Sequence, residues 1–282
     1  MKRKSNFLKR YLPQIIMLIC IVLLLVMTLF PLVLLVFNSF KMYTDDPLQW
    51  PSASNGNIFT TEGYVLVWDY ISKNYINSLL VTFAVSIGTT LFGSMAGYAF
   101  AKYEFPFKNT IFICVLAFMM VPSLLTLISR YSLIVDLGLN DNLWGVILPQ
   151  ISASLPFATF LTRTFFQGLP NEMFEAAKMD GMSELKKFVR LVVPLSQPII
   201  ITLLVQTFVS QWNDYLWSRL VLQSENLQTL PIVLVNLTDT LGSISYCIPF
   251  AGYVLSAIPL ILIFIVGNKK FIEGMTSGAF KM

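Results

Sequence analysis

The chain has 282 residues, 56% of them hydrophobic and 12% charged, with a formal net charge of +4 and a mean hydropathy of +0.70. That balance excludes a soluble globular domain and describes an integral membrane protein, with room for several spans of about 20 residues but not for a large separate soluble domain. Histidine is absent and Cys20, Cys114 and Cys247 are scattered through apolar runs, so they read as small hydrophobes in helices and not as a metal cluster or disulfide framework.

The opening MKRKSNFLKRYLPQ gives a short N-terminal segment, 1–12, before an apolar run that ends at 37. The run is too long for the apolar core of a signal peptide and lacks a small-residue cleavage site, so 13–37 is predicted to remain as a first membrane span. The connection 38–75 is rich in Pro, Ser, Asn and Asp (TDDPLQWPSASNGN). It is predicted to be an ordered extracytoplasmic loop with short helical turns near VLVWDYI. Five further apolar segments, about 76–101, 110–130, 143–166, 197–222 and 246–268, form a core over 76–268, followed by a tail, 269–282. Pro31, Pro122, Pro149, Pro156 and Pro259 fall in these spans. Each removes a backbone donor and can kink its helix around a cavity or within packing. Gly93-x-x-x-Gly97 is a small-residue helix contact, either inside this subunit or at a subunit interface.

Lysine and arginine are retained on the cytoplasmic side of membrane proteins. With the N-terminus inside, only Lys41, Lys73, Arg130 and Arg219 of the 19 basic residues fall on the outer side. Both termini and the connection 170–196 are therefore predicted to be cytoplasmic. The basic residues follow topology and form no patch with interleaved aromatics, so nucleic acid is not an expected partner.

The one long polar stretch, PNEMFEAAKMDGMSELKKFVRLVVPLSQP at 170–198, reads as helix, turn, helix. Asn171 is the predicted N-cap, with Glu172 and Glu175 near the positive end of the helix dipole. Gly181 ends the helix in the left-handed conformation. Ser183 then caps a second helix whose Leu185, Phe188, Val189 and Val192 make an apolar stripe. Ala176 and Ala177 allow close approach of a partner, with Glu175, Lys178 and Asp180 as polar contacts around them. On these grounds an interfacial helix and a docking knob remain equally open.

The residue order separates them. Glu175-Ala176-Ala177, three residues, Gly181, nine residues, then Leu191-Val192-Val193-Pro194 resembles the EAA loop of permease subunits of binding-protein-dependent ABC importers. Leu191 and Val193 depart from that pattern with apolar character kept. NSLLVT (77–82), AGYAFAKYEFPFKN (96–109), LGLNDNLWGVILP (137–149), QWNDYLW (211–217), LQTLPIVL (227–234) and the terminal GMTSGAFKM resemble the second permease subunit of maltose-type, multiple-sugar importers. The resemblance implies an all-α, polytopic, type I importer permease fold with six transmembrane helices and a cytoplasmic coupling helix, in the cell membrane. It implies a second homologous permease, two ATP-binding subunits that use ATP and Mg, and an extracytoplasmic sugar-binding protein. Carried over by position, Glu175, Ala176, Ala177, Asp180 and Gly181 are the expected coupling residues, and 274–282 reaches toward the ATPase.

No G-x-x-x-x-G-K-[ST] phosphate loop occurs in the chain, so ATP hydrolysis is expected in a partner and no cofactor in this chain. A partner moves the pore only by binding its two states unequally. Trp212, Asn213, Asp214 and Tyr215 fall in the outer half of the fifth apolar segment and are the candidate translocation-path residues, because aromatic faces and polar acceptors suit sugars. The other reading is an interfacial aromatic belt with Asp214 paired to Arg219. A carboxylate facing lipid is costly, so Asp214 is expected to turn away from it. A secondary transporter would show repeats and an intramembrane ion relay, and a membrane enzyme would need clustered catalytic groups; neither pattern is present. An ABC permease for an osmolyte, peptide or polyamine is the nearer alternative to a di- or oligosaccharide importer.

Overall fold

The computed structural model describes the backbone of residues 2–41, 59–241 and 247–279 and the side chains of 11–41, 59–240 and 247–267. Every described element is helical: α1 (Lys2–Ser39), α2 (Glu62–Lys102), α3 (Lys108–Met119), α4 (Leu127–Asp136), α5 (Leu143–Phe166), α6 (Asn171–Met179), α7 (Glu184–Lys187), a π turn (Phe188–Val192), α8 (Val193–Leu195), α9 (Gln197–Trp212), α10 (Leu216–Val221), α11 (Leu230–Leu241) and α12 (Cys247–Ala279). Among the described residues four helices are long and apolar enough to cross a membrane. A fifth joins them if Glu184–Leu195 and Gln197–Trp212 count as one bent span.

The predicted spans and the observed helices differ in ways that follow from local chemistry. The first span lies within α1. Helix α2 begins at Glu62, earlier than the predicted 76, so the turns expected near VLVWDYI are part of this helix. Val67 and Ile71, both fully buried, lie one turn apart there and give the extension an apolar face. The rest of the predicted outer loop, 42–58, lies outside the described residues. The third apolar segment is split around Pro122 into α3 and α4. Proline brings no amide to continue the ladder, and α3 alone, at about 18 Å, is shorter than a hydrocarbon core of about 30 Å. The fifth segment breaks at Asn213–Tyr215 between α9 and α10, and α11 is an apolar helix not predicted as a span. The backbone of α12 remains helical past 268 to Ala279, whereas residues 280–282 of the predicted tail lie outside the described residues.

The chain forms two compact units, residues 1–70 with 236–255, and 71–235 with 256–282. In the first, the Ser39 and Tyr64 hydroxyls lie 2.6 Å apart and Phe40 packs on Tyr64 at 5.0 Å between ring centroids.

In the second unit α2 and α5 run against each other through small residues. An added Cβ on Gly93 would meet Ala158, and one on Gly97 would meet Thr162. The Thr162 hydroxyl is 3.0 Å from the Gly93 carbonyl and 2.7 Å from that of Ala158. Gly93-x-x-x-Gly97 is therefore a contact within the chain. Helix α5 starts under a side-chain cap, with Asn142 accepting from the Trp144 amide at 2.9 Å. Two apolar clusters bracket the α2–α5 seam. One joins Val81, Val85, Ile134, Val146, Ile147, Trp217, Val221 and Leu222. The other joins Tyr98, Phe166, Phe188, Val192 and Ile199, and so seats the polar stretch against the ends of α2 and α5.

Candidate functional site

The polar stretch is built from α6 to α8. Pro170 takes the position before α6 with φ −59° and ψ 132°, which its ring favours. Asn171 is therefore the first helical residue and not the N-cap predicted from sequence. Its side-chain oxygen instead accepts from the Lys102 ammonium at 2.8 Å. Glu172 lies in the first turn and Lys178 in the last, each at the end where the helix dipole favours its charge. Among the expected coupling residues, Ala177 is buried, while Glu175, Ala176, Asp180 and Gly181 are exposed.

Gly181 has φ +71°. Its amide donates to the Lys178 carbonyl and the Met182 amide to that of Ala177, both at 3.0 Å, which is the Schellman closure. A Cβ at Gly181 would meet nothing within 4 Å, so the backbone conformation, and not space, calls for glycine. Gly181→Val is expected to cost about 1–2 kcal/mol at this helix end while the chain still accumulates. Faster limited proteolysis at 180–183 than in the parent checks it.

Ser183 occupies the cap position of α7 in extended conformation, but its side chain makes no cap bond. Its carbonyl accepts from Lys187 at 3.0 Å. The predicted apolar stripe is divided: Phe188 and Val192 are buried, whereas Leu185 and Val189 are 64% and 54% exposed. Phe188 and Val192, one turn apart, face the protein, while Leu185 and Val189, also one turn apart, face outward. The ladder widens to a π turn here, where the Val193 amide reaches back to Phe188.

Sequence reasoning missed the residues that brace this loop. Lys102, the last residue of α2, donates to the Leu169 carbonyl at 2.6 Å as well as to Asn171, and sits 4.8 Å above the Phe174 ring. Glu184 accepts from the Tyr103 hydroxyl, from Lys187 at 2.9 Å and from Tyr98 at 3.4 Å. Its carboxyl is held below the usual range by the Tyr103 phenol first and then by Lys187. Burial, followed by the same bond, pushes the Tyr103 phenol upward. Lys187 is only 4% exposed, and its ammonium lies 2.9 Å from the Glu184 carboxylate. The signal was in AGYAFAKYEF, which puts two tyrosines and a lysine at one end of α2.

At the break between α9 and α10 stand the four candidate path residues. Trp212 is 3% exposed and its indole donates to the Ser256 carbonyl at 3.0 Å. The Asn213 amide donates to Val209 at 2.7 Å. Asp214 accepts from the amide and hydroxyl of Ser218, at 3.0 and 2.7 Å, and so holds the first turn of α10. Tyr215 is exposed. Asp214 and Arg219 form no ion pair among the described residues. The Arg130 guanidinium lies 4.2 Å over the Trp217 ring.

Nearby, the segment 223–228 is tied down by distant residues. Asp141 accepts from the Gln223 and Ser224 amides, each at 2.9 Å, and from the Ser224 hydroxyl. Asn74 donates to the carbonyls of Glu225 and Gln228 at 2.8 and 2.9 Å, and Asn77 to that of Asn226 at 2.8 Å. The Ser78 hydroxyl accepts the Leu230 amide at 2.6 Å. The Ser224 hydroxyl first, then its amide, hold the Asp141 carboxyl below its ordinary range. Its contribution is therefore full above the ordinary carboxylate pKa of about 3.9 and is lost as pH falls through the depressed value. Asp141→Asn is expected to speed hydrogen exchange at the Gln223 and Ser224 amides roughly tenfold near neutral pH, the weight of about one such bond. Mass spectrometry of the peptide over 222–229 reads it.

The family described as binding-protein-dependent transport system inner membrane component matches residues 89–276. The chain is 37% identical over 209 residues to the arabinooligosaccharides transport system permease protein AraQ of Bacillus subtilis, covering 74% of this chain and 73% of that one. It is 31% identical over 219 residues to the trehalose transport system permease protein SugB of Mycobacterium tuberculosis, covering 76% and 78%. Among solved structures, a chain of a bacterial ABC transporter involved in the import of the acidic polysaccharide alginate superposes with a TM-score of 0.78 at 22% identity, over 92% of this chain and 96% of that one.

Proposed function

We propose, from the premise that the chain belongs to the family of inner membrane components of binding-protein-dependent transport systems, that it is the permease subunit of an ATP-driven carbohydrate importer. The chain is a multi-pass, all-α membrane protein with the importer-permease fold, and a transport component with no catalytic role of its own. The observation that carries the cargo class is that relatives above 30% identity are named for different sugars, arabino-oligosaccharides and trehalose, with carbohydrate as the shared chemistry.

In this reading the chain forms half of a translocation pore with a second, homologous permease. Two ATP-binding subunits attach from the cytoplasm, where both termini also lie, one of them gripping α6, and an extracytoplasmic binding protein delivers a di- or oligosaccharide. Glu175, Ala176, Asp180 and Gly181 present the gripped surface, and buried Ala177 seats it. Lys102, Tyr103 and Glu184 pass its displacement to α2. Near the outer end the exposed Tyr215 is the path residue best placed to meet sugar, because Trp212, Asn213 and Asp214 already hold structural bonds.

Reconstitution tests the reading. The chain, a partner permease, an ATPase and candidate binding proteins are combined in proteoliposomes, and ATP hydrolysis and uptake are followed. Sugar-dependent hydrolysis and uptake that need every component are expected. Uptake by the chain without an ATPase, or stimulation confined to binding proteins for osmolytes, peptides or polyamines, would overturn it.

A further inference from the structure

We propose that the segment Glu184–Leu195 is an interfacial helix whose outer face binds the anionic headgroups of the cytoplasmic leaflet. The inference rests on the cytoplasmic placement of the loop given above. The segment is bent by 84° from Gln197–Trp212. If the latter crosses the bilayer, the former runs along its surface. Burial within the hydrocarbon is excluded by Lys186, Lys187 and Arg190, three charges in two turns.

The faces of the segment agree with that placement. Phe188 and Val192 pack inward on Tyr98, Phe166 and Ile199. Leu185 and Val189, one turn apart, are more than half exposed, and Lys186 and Arg190, also one turn apart, are exposed beside them. A parallel pair of apolar and basic rows is the pattern of a helix lying in the headgroup layer, with apolar side chains dipping toward the acyl boundary and cations at the phosphates. Glu184, the only acid in the segment, is engaged by Tyr103 and Lys187, and among the described residues neither Lys186 nor Arg190 forms an ion pair, so the outer face presents positive charge. That charge complements an anionic lipid surface. The arrangement would anchor the far side of the loop to the leaflet while α6 remains free for the ATPase.

The test uses the full transporter in nanodiscs of phosphatidylcholine alone and of an equal mixture with phosphatidylglycerol. A nitroxide is placed at Val189→Cys, in a chain whose Cys20, Cys114 and Cys247 are replaced by serine and which has been shown to transport. The expected result is ready collision with oxygen and shielding from a water-soluble nickel chelate. Shielding from both reagents would assign this face to the ATPase or another protein surface, and free access of nickel would assign it to water; either overturns the proposal. Phosphatidylglycerol is expected to deepen the label's shielding from nickel, and Lys186→Gln with Arg190→Gln to remove most of that difference between the two lipids. Equal shielding of the unmutated face in the two lipids overturns the headgroup claim. A lipid-like label in a complex without sugar-dependent hydrolysis would sink the importer reading alone, whereas a water-exposed label in a transporting complex would sink this one alone.

Discussion

Glu184→Gln is expected to lower sugar uptake by the reconstituted transporter about tenfold or more while ATP hydrolysis by the same complex persists. Glu184 lies just beyond the helix-ending glycine, and it is where the second half of the loop is tied to the end of α2 by Tyr103, Tyr98 and Lys187. If α2 is to follow a displacement of α6, that tie has to hold. The substitution keeps the side chain's size and one acceptor but removes the charge that Lys187 needs. Separating a buried charged pair costs about 3–5 kcal/mol before relaxation, and only part of that applies here because the Glu184 side chain is 56% exposed.

Two companions separate coupling from folding. Adding Lys187→Met to Glu184→Gln removes the stranded cation, so chain abundance is expected to recover while uptake remains low. Tyr103→Phe keeps the ring against Tyr98, 5.4 Å between centroids, and removes one hydroxyl, so a smaller loss of uptake is expected. Uptake and hydrolysis falling in proportion in all three would mean that the tie is structural and carries no motion.

Gly97→Leu is expected to act earlier, by preventing stable accumulation in the membrane. An added Cβ there collides with the Thr162 side chain and comes within 2.9 Å of the Arg163 amide nitrogen. Because a backbone atom is involved, no rotamer change relieves the clash and the two helices must part. Overpacking of this kind costs about 1–3 kcal/mol for a single methylene and more for a whole leucine. Parting the helices would also separate the Thr162 hydroxyl from the Gly93 carbonyl. Immunoblotting of membranes and the detergent-solubilised melting temperature report the effect. A Gly97→Leu chain with normal abundance and an unchanged melting temperature would show that the seam is looser than these distances state. The contrast with Gly181 is informative: one glycine is required by a neighbour, the other by its own φ.

Features of this protein that depend on a few adjacent residues were legible without a structure. Composition alone set the membrane class, because no water-soluble arrangement hides this much apolar surface. The glycine after Asp180 announced a left-handed residue, since few others adopt that conformation at low cost. The apolar runs marked 13–37 and 143–166 as helical, and both fall inside observed helices. Motif order placed Glu175, Ala176 and Ala177 on one short helix, which is where they stand.

Tertiary structure decided whatever depends on a partner far along the chain. Asn171 looks like a cap to its neighbours, but Pro170 already occupies that position and Lys102 takes its side chain. The stripe from Leu185 to Val192 reads as one apolar face, and packing on Tyr98, Phe166 and Ile199 takes up only Phe188 and Val192, leaving Leu185 and Val189 exposed. Asn74 holds a carbonyl 151 residues away, and Tyr103 finds Glu184 across 81. Hydrophobic periodicity and turn preference are properties of a few residues and can be read from them. The choice of which helix end meets which loop is made by packing among segments that sequence order does not bring together, and only the folded chain expresses it.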